Sequence, residues 1–437
     1  MTDTRTQISR AAFALREAER PLRVLGLLAW PLAVRNRFLD GGDRQLPEVS
    51  YEQADTRLVE EALTRARPII KRTGPAQAWF ERIADRIATA NRMLKHVGQA
   101  EFYRCSSQLY GAPELAPADS GRTPLELARR LRGIIDRLSH VDLGAPADAS
   151  ATAEEVAERM RCAVEQFFAD EAPAVEVVDN LSANATAGPE RIRIRATARF
   201  TDRDVEQLIH HEAGIHVATS LNGRHQTELP ILAASHPGTT RTQEGLAVFS
   251  EFITGCMDLD RLSRLADRVL GIDMAAQGAD FVEVYQHFLE QLQSRDGTDD
   301  DASLIAQRKA AFEQTRRVFR GGVLSGGAPF TKDVVYLDGL LRVHDFLRSV
   351  VAAGRADVLM LLFCGKLDLD DVPVLGQLAD MGLLKPPRFL PNWAADRRFL
   401  VSYLAYSGFL GRISMGRVHE RYADLLDHVP TVRFSGA

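Results

Sequence analysis

Cysteine is scarce in this chain. Only Cys105, Cys162, Cys256 and Cys364 occur in 437 residues, and no two form a CxxC pair. That excludes a disulfide framework and a cysteine-rich zinc site, and leaves buried reduced thiols as the expectation. A basic excess is also missing. The net charge is −5 and the pI is near 6.2, whereas nucleic acids and anionic membrane surfaces call for strong positive charge. Neither is expected as a partner. No apolar run approaches the roughly 20 residues that cross a bilayer. The longest near the N-terminus, residues 24–34, is interrupted by Pro31. No signal peptide or transmembrane helix is read, so the cytoplasm is the expected compartment. A GxxxxGK[ST] pattern is absent too, so the glycine-rich stretch 321–327 is a connection and not a phosphate loop.

What is present is an ordinary globular composition, 45% apolar and 26% charged. The length suits a sizeable core with accessory segments. Helical periodicity dominates. Residues 1–20 are polar and are expected to be frayed or a loose helix. Residues 21–140 form an N-terminal helical region, punctuated at Trp30-Pro31 and Leu46-Pro47. Residues 141–152 read as a loop and 153–168 as a helix. Strands are expected over 173–178 and 191–199, where Ile192, Ile194 and Ala196 alternate with Arg191, Arg193 and Arg195. Thr201 and Asp202 are N-cap candidates for a helix over 203–220, stopped by Asn222-Gly223. Thr240 and Gln243 have capping-box spacing for the next helix. Helices follow over 258–293, 302–319, 333–351 and within 356–410, with an acidic loop at 295–301. The class is α+β, predominantly α-helical.

The chemistry concentrates on one helix. His211-Glu212-Ala213-Gly214-Ile215-His216 is an HExxxH segment. Two imidazoles and a carboxylate suit a catalytic zinc, which prefers N and O donors and keeps one position open for water. Such a metal lowers the pKa of its water to about 7, and a carboxylate beside a ligand histidine can serve as general base. The usual peptidase spacing is HExxH, with histidines at i and i+4. Here they are five apart. A regular helix turns about 500° over five residues and leaves the two rings about 140° apart. One π-type widened turn across 211–216 would bring them together, and such distortions cluster at functional sites. Gly214 lowers the steric obstacle to it. Glu244 opens a later helix 28 residues beyond His216, a layout that resembles glutamate-type zinc peptidases. His225 and His236 remain alternative third donors. His210 points about 100° away from His211 and reads as structural. Glu251, two turns after Glu244, is placed to support a ligand imidazole or to be solvated.

The HExxxH segment followed by Thr242-Gln243-Glu244-Gly245-Leu246-Ala247 resembles the QEGLA-motif family. That family is related to the eukaryotic microtubule-associated tyrosine carboxypeptidases, which remove the C-terminal tyrosine of α-tubulin. The likeness extends loosely over residues 20–410 and includes Phe330-Thr331-Lys332-Asp333, Tyr336 and Gly339. It implies a zincin-like core with a small sheet beside the HExxxH helix, over residues 153–345. Residues 346–437 would then be a C-terminal helical region packed on that core. It also implies one zinc ion held by His211, His216 and Glu244, with Glu212 as general base. Tubulin itself is not carried over, because no microtubule-binding extension is recognised. Tyr336 is a candidate oxyanion donor. Arg320 and Lys332 are candidates for gripping a substrate carboxylate, and the Arg191, Arg193 and Arg195 face for lining a cleft. The expected activity is carboxypeptidase-like hydrolysis at a peptide or protein C-terminus. A metal-dependent amidase on a small molecule and a regulatory protein with a structural metal are the alternatives.

Overall fold

Thr152 shows how local sequence sets the elements. Its side chain accepts from the Glu155 backbone, and Glu155 caps Thr152 in return. This reciprocal bonding satisfies two of the donors a helix start leaves free. The helix Ala153–Phe168 then buries Val156, Ala157, Met160, Val164 and Phe168 at three- and four-residue spacing. In the computed structural model the described residues are 2–410, apart from 53, 117–120, 139, 142–148, 180, 182–183 and 297–300. The expected loops at 141–152 and 295–301 fall largely outside them.

The architecture is predominantly α-helical with one small mixed sheet. Strand β1 (Ala174–Val178) pairs in parallel with β3 (Arg191–Arg195), and β2 (Ala185–Ala187) pairs antiparallel on the other side of β3. The alternation in β3 reads as expected. Ile192 and Ile194 are fully buried against the Ala153–Phe168 helix and the histidine helix. Arg191 and Arg193 face outward and pair with Glu176 of β1. The strand is shorter than the periodicity implied and ends at Arg195, where residues 196–197 turn. Strand β2 is not visible as a pattern, since three residues carry no periodicity.

Three further expectations change. Residues 1–20 are not frayed. They form the helix Thr2–Glu19, with Ile8, Ala11, Ala12, Leu15 and Ala18 fully buried in the largest core cluster. The small size of the three alanines hid this apolar stripe. Asn222-Gly223 does not stop its helix, which continues to Arg224. Gly223 is required by a close approach, because a Cβ there would lie 2.3 Å from the Leu232 carbonyl oxygen. Asn222 is buried and ties this helix to the C-terminal region. Its amide donates to the carbonyls of Phe363 and Phe389 and accepts from the backbone of Arg388 and Phe389. Thr240 and Gln243 form no capping box. Thr239 is the cap residue without a side-chain bond, and the Gln243 side-chain amide instead lies 2.8 Å from the Thr219 hydroxyl oxygen on the histidine helix.

One helix crossing fixes the site. Thr240–Ile253 packs on Val335–Ala352 with Gly245 against Gly339. A Cβ on Gly245 would meet the Gly339 carbonyl oxygen at 2.3 Å, and one on Gly339 would meet the Arg241 oxygen at 2.3 Å. The two backbones touch, so only glycine fits. The expected consequence is that Gly245→Ala is destabilising by about 1–3 kcal/mol despite the higher helix propensity of alanine. Gly376, also helical, has nothing within 4 Å of a Cβ, so Gly376→Ala should leave the melting temperature unchanged or raise it slightly. Thermal melts of both variants check this, and equal shifts would refute the contact argument.

Candidate metal centre

The backbone of the histidine helix is widened over Ile209–Val217, a π-helix that spans both imidazoles. Its signature is the bond from Ala218 N–H back to the Ala213 carbonyl, five residues earlier. The distortion is longer than the single turn the spacing required. Gly214 is not what permits it, since a Cβ there would lie an ordinary 3.7 Å from the Ile209 oxygen. Hydroxyls support the segment after it: Thr219 donates to the Ile215 carbonyl and Ser220 to that of His216. Upstream, Thr201 and Asp204 form the capping box that starts the helix Asp202–Leu208.

With the turn widened, the rings of His211 and His216 stand 4.9 Å apart, nearly perpendicular. Glu244 arrives from the Gly245–Gly339 crossing. Its Oε2 is 3.7 Å from His211 Nε2 and 3.6 Å from His216 Nε2. All three donor atoms lie within 4.8 Å of one another. Tetrahedral coordination at zinc bond lengths of about 2.0–2.1 Å separates ligand atoms by about 3.4 Å. The spacing and the N, N, O donor set therefore fit one zinc ion. Glu212 is half-buried and lines the same cavity as His211.

Two of the three donors are held from behind. His211 Nδ1 lies 2.6 Å from Glu251 Oε1, which puts a proton on Nδ1, so that the neutral ring presents the Nε2 lone pair toward the other donors. Glu251 is wholly buried, and Arg261 donates to both of its oxygens at 2.7 and 2.8 Å. Burial alone would raise the Glu251 carboxyl, but Arg261 and His211 outweigh it and hold it down to about 2. Glu244 shows the same balance: burial pushes up, while Lys332 and the two histidines pull it well below the usual range. Lys332 Nζ bonds Glu244 Oε1 at 3.0 Å, so one carboxylate oxygen is engaged and the other faces the histidines. Lys366, buried behind the site, is pushed down to about 8 by burial against the pull of Glu244 and Glu212.

The remaining expected residues are distributed unevenly. Tyr336 lines the cavity, with its hydroxyl 3.4 Å from Arg317 Nη2. Lys332 is committed to Glu244. Arg320 sits over the Phe330 ring, 5.6 Å from its centroid, and is not among the described residues that line the cavity. His225 bonds Glu171, and His236 is buried beside Arg86, where burial lowers it to about 4. Neither joins the three donors, and His210 does not line the cavity. Arg195 does.

That cavity measures about 880 Å³, toward the upper end of the roughly 300–1,000 Å³ typical of ligand sites. Seven cations line it: Arg35, Arg195, Arg261, Arg264, Arg268, Lys309 and Arg317, against the four acids Asp204, Glu212, Glu313 and Asp333. Its wall beside the histidines is the helix Leu259–Ala276, where Arg261, Arg264 and Arg268 share one face. Sequence reading passed over these three. Their spacing of three and four was the available signal, but it looked like any solvated helix face. From the support of His211 we expect Glu251→Gln to weaken zinc affinity about 10–100-fold. Competition with a chromogenic chelator measures this, and unchanged affinity would show that Glu251 does not orient the ligand.

A search of curated proteins returns no match to this chain. The family model described as microtubule-associated tyrosine carboxypeptidase matches residues 36–412. The match covers most of the chain, including both histidines and the QEGLA segment, and implies carboxypeptidase-like activity. The chain thus belongs to the microtubule-associated tyrosine carboxypeptidase family.

Proposed function

We propose that this protein is a zinc-dependent metallopeptidase that removes residues from the C-terminus of a peptide or protein. The observation that carries the reading is the convergence of His211 Nε2, His216 Nε2 and Glu244 Oε2, with Glu212 lining the cavity that His211 also lines. Zinc held there supplies an acidified water and a polarised carbonyl. Glu212 takes the proton from the attacking water and passes it to the leaving amine nitrogen. Tyr336 donates its hydroxyl to the oxygen of the tetrahedral intermediate. The part played by Lys332 is to hold Glu244 Oε1, which leaves Oε2 to the metal. The Arg261–Glu251–His211 chain keeps the imidazole in register.

Two features favour this over the alternatives. A cavity of about 880 Å³ with a cationic lining suits a peptide better than a compact small molecule. A carboxylate next to a donor histidine serves catalysis and has no use in a purely structural site. None of the described helices is long and apolar enough to cross a membrane, and the four cysteines are free. We place the protein in the cytoplasm on the thiol chemistry.

Glu212→Gln should retain zinc and lose activity about 10²–10⁴-fold, read by mass spectrometry of trimmed peptides. His216→Ala should lose the metal itself, measured by atomic emission. Full activity in the first variant, or full zinc content in the second, would sink the reading.

A further inference from the structure

An exopeptidase that trims from the C-terminus must hold the substrate's terminal carboxylate. The question is which cation in this cavity is free to do so. Arg261 gives Nε and Nη2, its side-on edge, to the two oxygens of Glu251 and is held there. Lys332 is consumed by Glu244. Arg317 donates to Asp333 and reaches Tyr336. Arg35 pairs with Glu313 at 3.4 Å.

Arg264 and Lys309 also line the cavity, but Arg268 is the lining cation that sits closest over the ring of Tyr336. The nearest carboxylate is Asp333, at 3.9 Å from Nε, and that carboxylate is already bonded by Arg317. Its Nη1 is buried with no hydrogen-bond partner among the described residues. A buried guanidinium nitrogen left without an acceptor is costly. The guanidinium carbon lies 4.4 Å from the centre of the Tyr336 ring, which seats the cation over that ring. Burial and the neighbouring Arg317 both push Arg268 down, to about 10, which still leaves it charged at neutral pH. Two guanidiniums thus share one aspartate beside the cavity wall, and one positive charge is unanswered. Tyr336, Glu212 and His211 line the same cavity. Arginine presents paired donors matched to a carboxylate.

We infer that Arg268, seated on Tyr336 and backed by Arg317, is the anchor for the substrate's C-terminal carboxylate. It is a specificity-determining residue and rests on the peptidase reading above. It also replaces Arg320 and Lys332 in the role the sequence had given them.

The test compares a set of decapeptides differing in the last residue, each as free acid and as C-terminal amide. Zinc-loaded wild type is expected to trim the acids and spare the amides. Arg268→Met should raise KM for the acids about 30-fold or more, as expected for a lost buried charge pair, with kcat little changed. Its preference for acid over amide should collapse. Arg268→Lys keeps the charge but not the paired donors and should recover part of that preference. Zinc content and melting temperature report on folding. Should Arg268→Met be inactive though folded, binding of acid and amide peptides is compared in Glu212→Gln with and without Arg268→Met. If Arg268 merely neutralises Asp333, its loss will lower the melting temperature and leave the acid preference intact. That result, or equal trimming of acids and amides by wild type, overturns the anchor while the peptidase reading stands. Failure of wild type to cleave any peptide overturns the peptidase reading itself.

Discussion

His211 and His216 meet only because the backbone between them is wound more loosely than an α-helix. At 3.6 residues per turn their rings would diverge by about 140°. The π-helix over Ile209–Val217 removes that divergence. Everything else in the site presumes it. The bond from His211 to Glu251, the position of Glu212 in the cavity and the approach of Glu244 all need both imidazoles to face one point. A widened turn leaves backbone groups less well paired than a regular helix does, so the surroundings must hold it. Thr219 does so on two sides, its hydroxyl oxygen lying 2.7 Å from the Ile215 carbonyl oxygen and 2.8 Å from the Gln243 side-chain amide of the facing helix.

The second constraint is a backbone contact. Gly245 follows Glu244, and its lack of a side chain lets the Thr240–Ile253 helix touch the helix that begins at Val335. One crossing therefore delivers two sets of groups. Glu244 and Glu251 come from one helix, two turns apart on one face. Tyr336 comes from the first turn of the other, and Lys332 from the short turn Lys332–Val334 just before it. The close approach explains why glycine follows the third donor, where alanine would make the better helix.

Much of this was legible in the sequence, and the reasons differ by residue. The need for a distorted turn followed from arithmetic on a five-residue spacing. The alternation of Ile192 and Ile194 with arginines announced the strand. The position of Glu251, seven residues after Glu244, suited a support for an imidazole and a solvated charge equally, and its burial beside His211 decides between them. Other features were hidden because their cause lies across the fold. Gly223 looked like a helix stop, yet it serves a carbonyl 2.3 Å from its missing Cβ. The N-terminal stripe was built largely of alanine and read as polar. Lys332 and Arg320 were judged by their charge, which says nothing of what each charge already faces.

That last point governs the chemistry of the site. Buried ions are tolerated when paired, and the pairing here is thorough. Glu251 belongs to Arg261, Glu244 to Lys332, and Asp333 to Arg317. Each pair has a structural use. The first sets a histidine tautomer, and the second leaves one glutamate oxygen for a metal. The third steadies a guanidinium against Tyr336. A cation's availability to substrate is therefore what remains after these commitments, and helix Leu259–Ala276 shows the distinction within seven residues. Arg261 and Arg268 project from the same face into the same cavity. One gives its Nε and Nη2 to both oxygens of a carboxylate, and the other keeps a buried nitrogen with no acceptor among the described residues. Sequence spacing makes them equivalent, and only the identity of their neighbours separates a supporting residue from one that can receive a ligand.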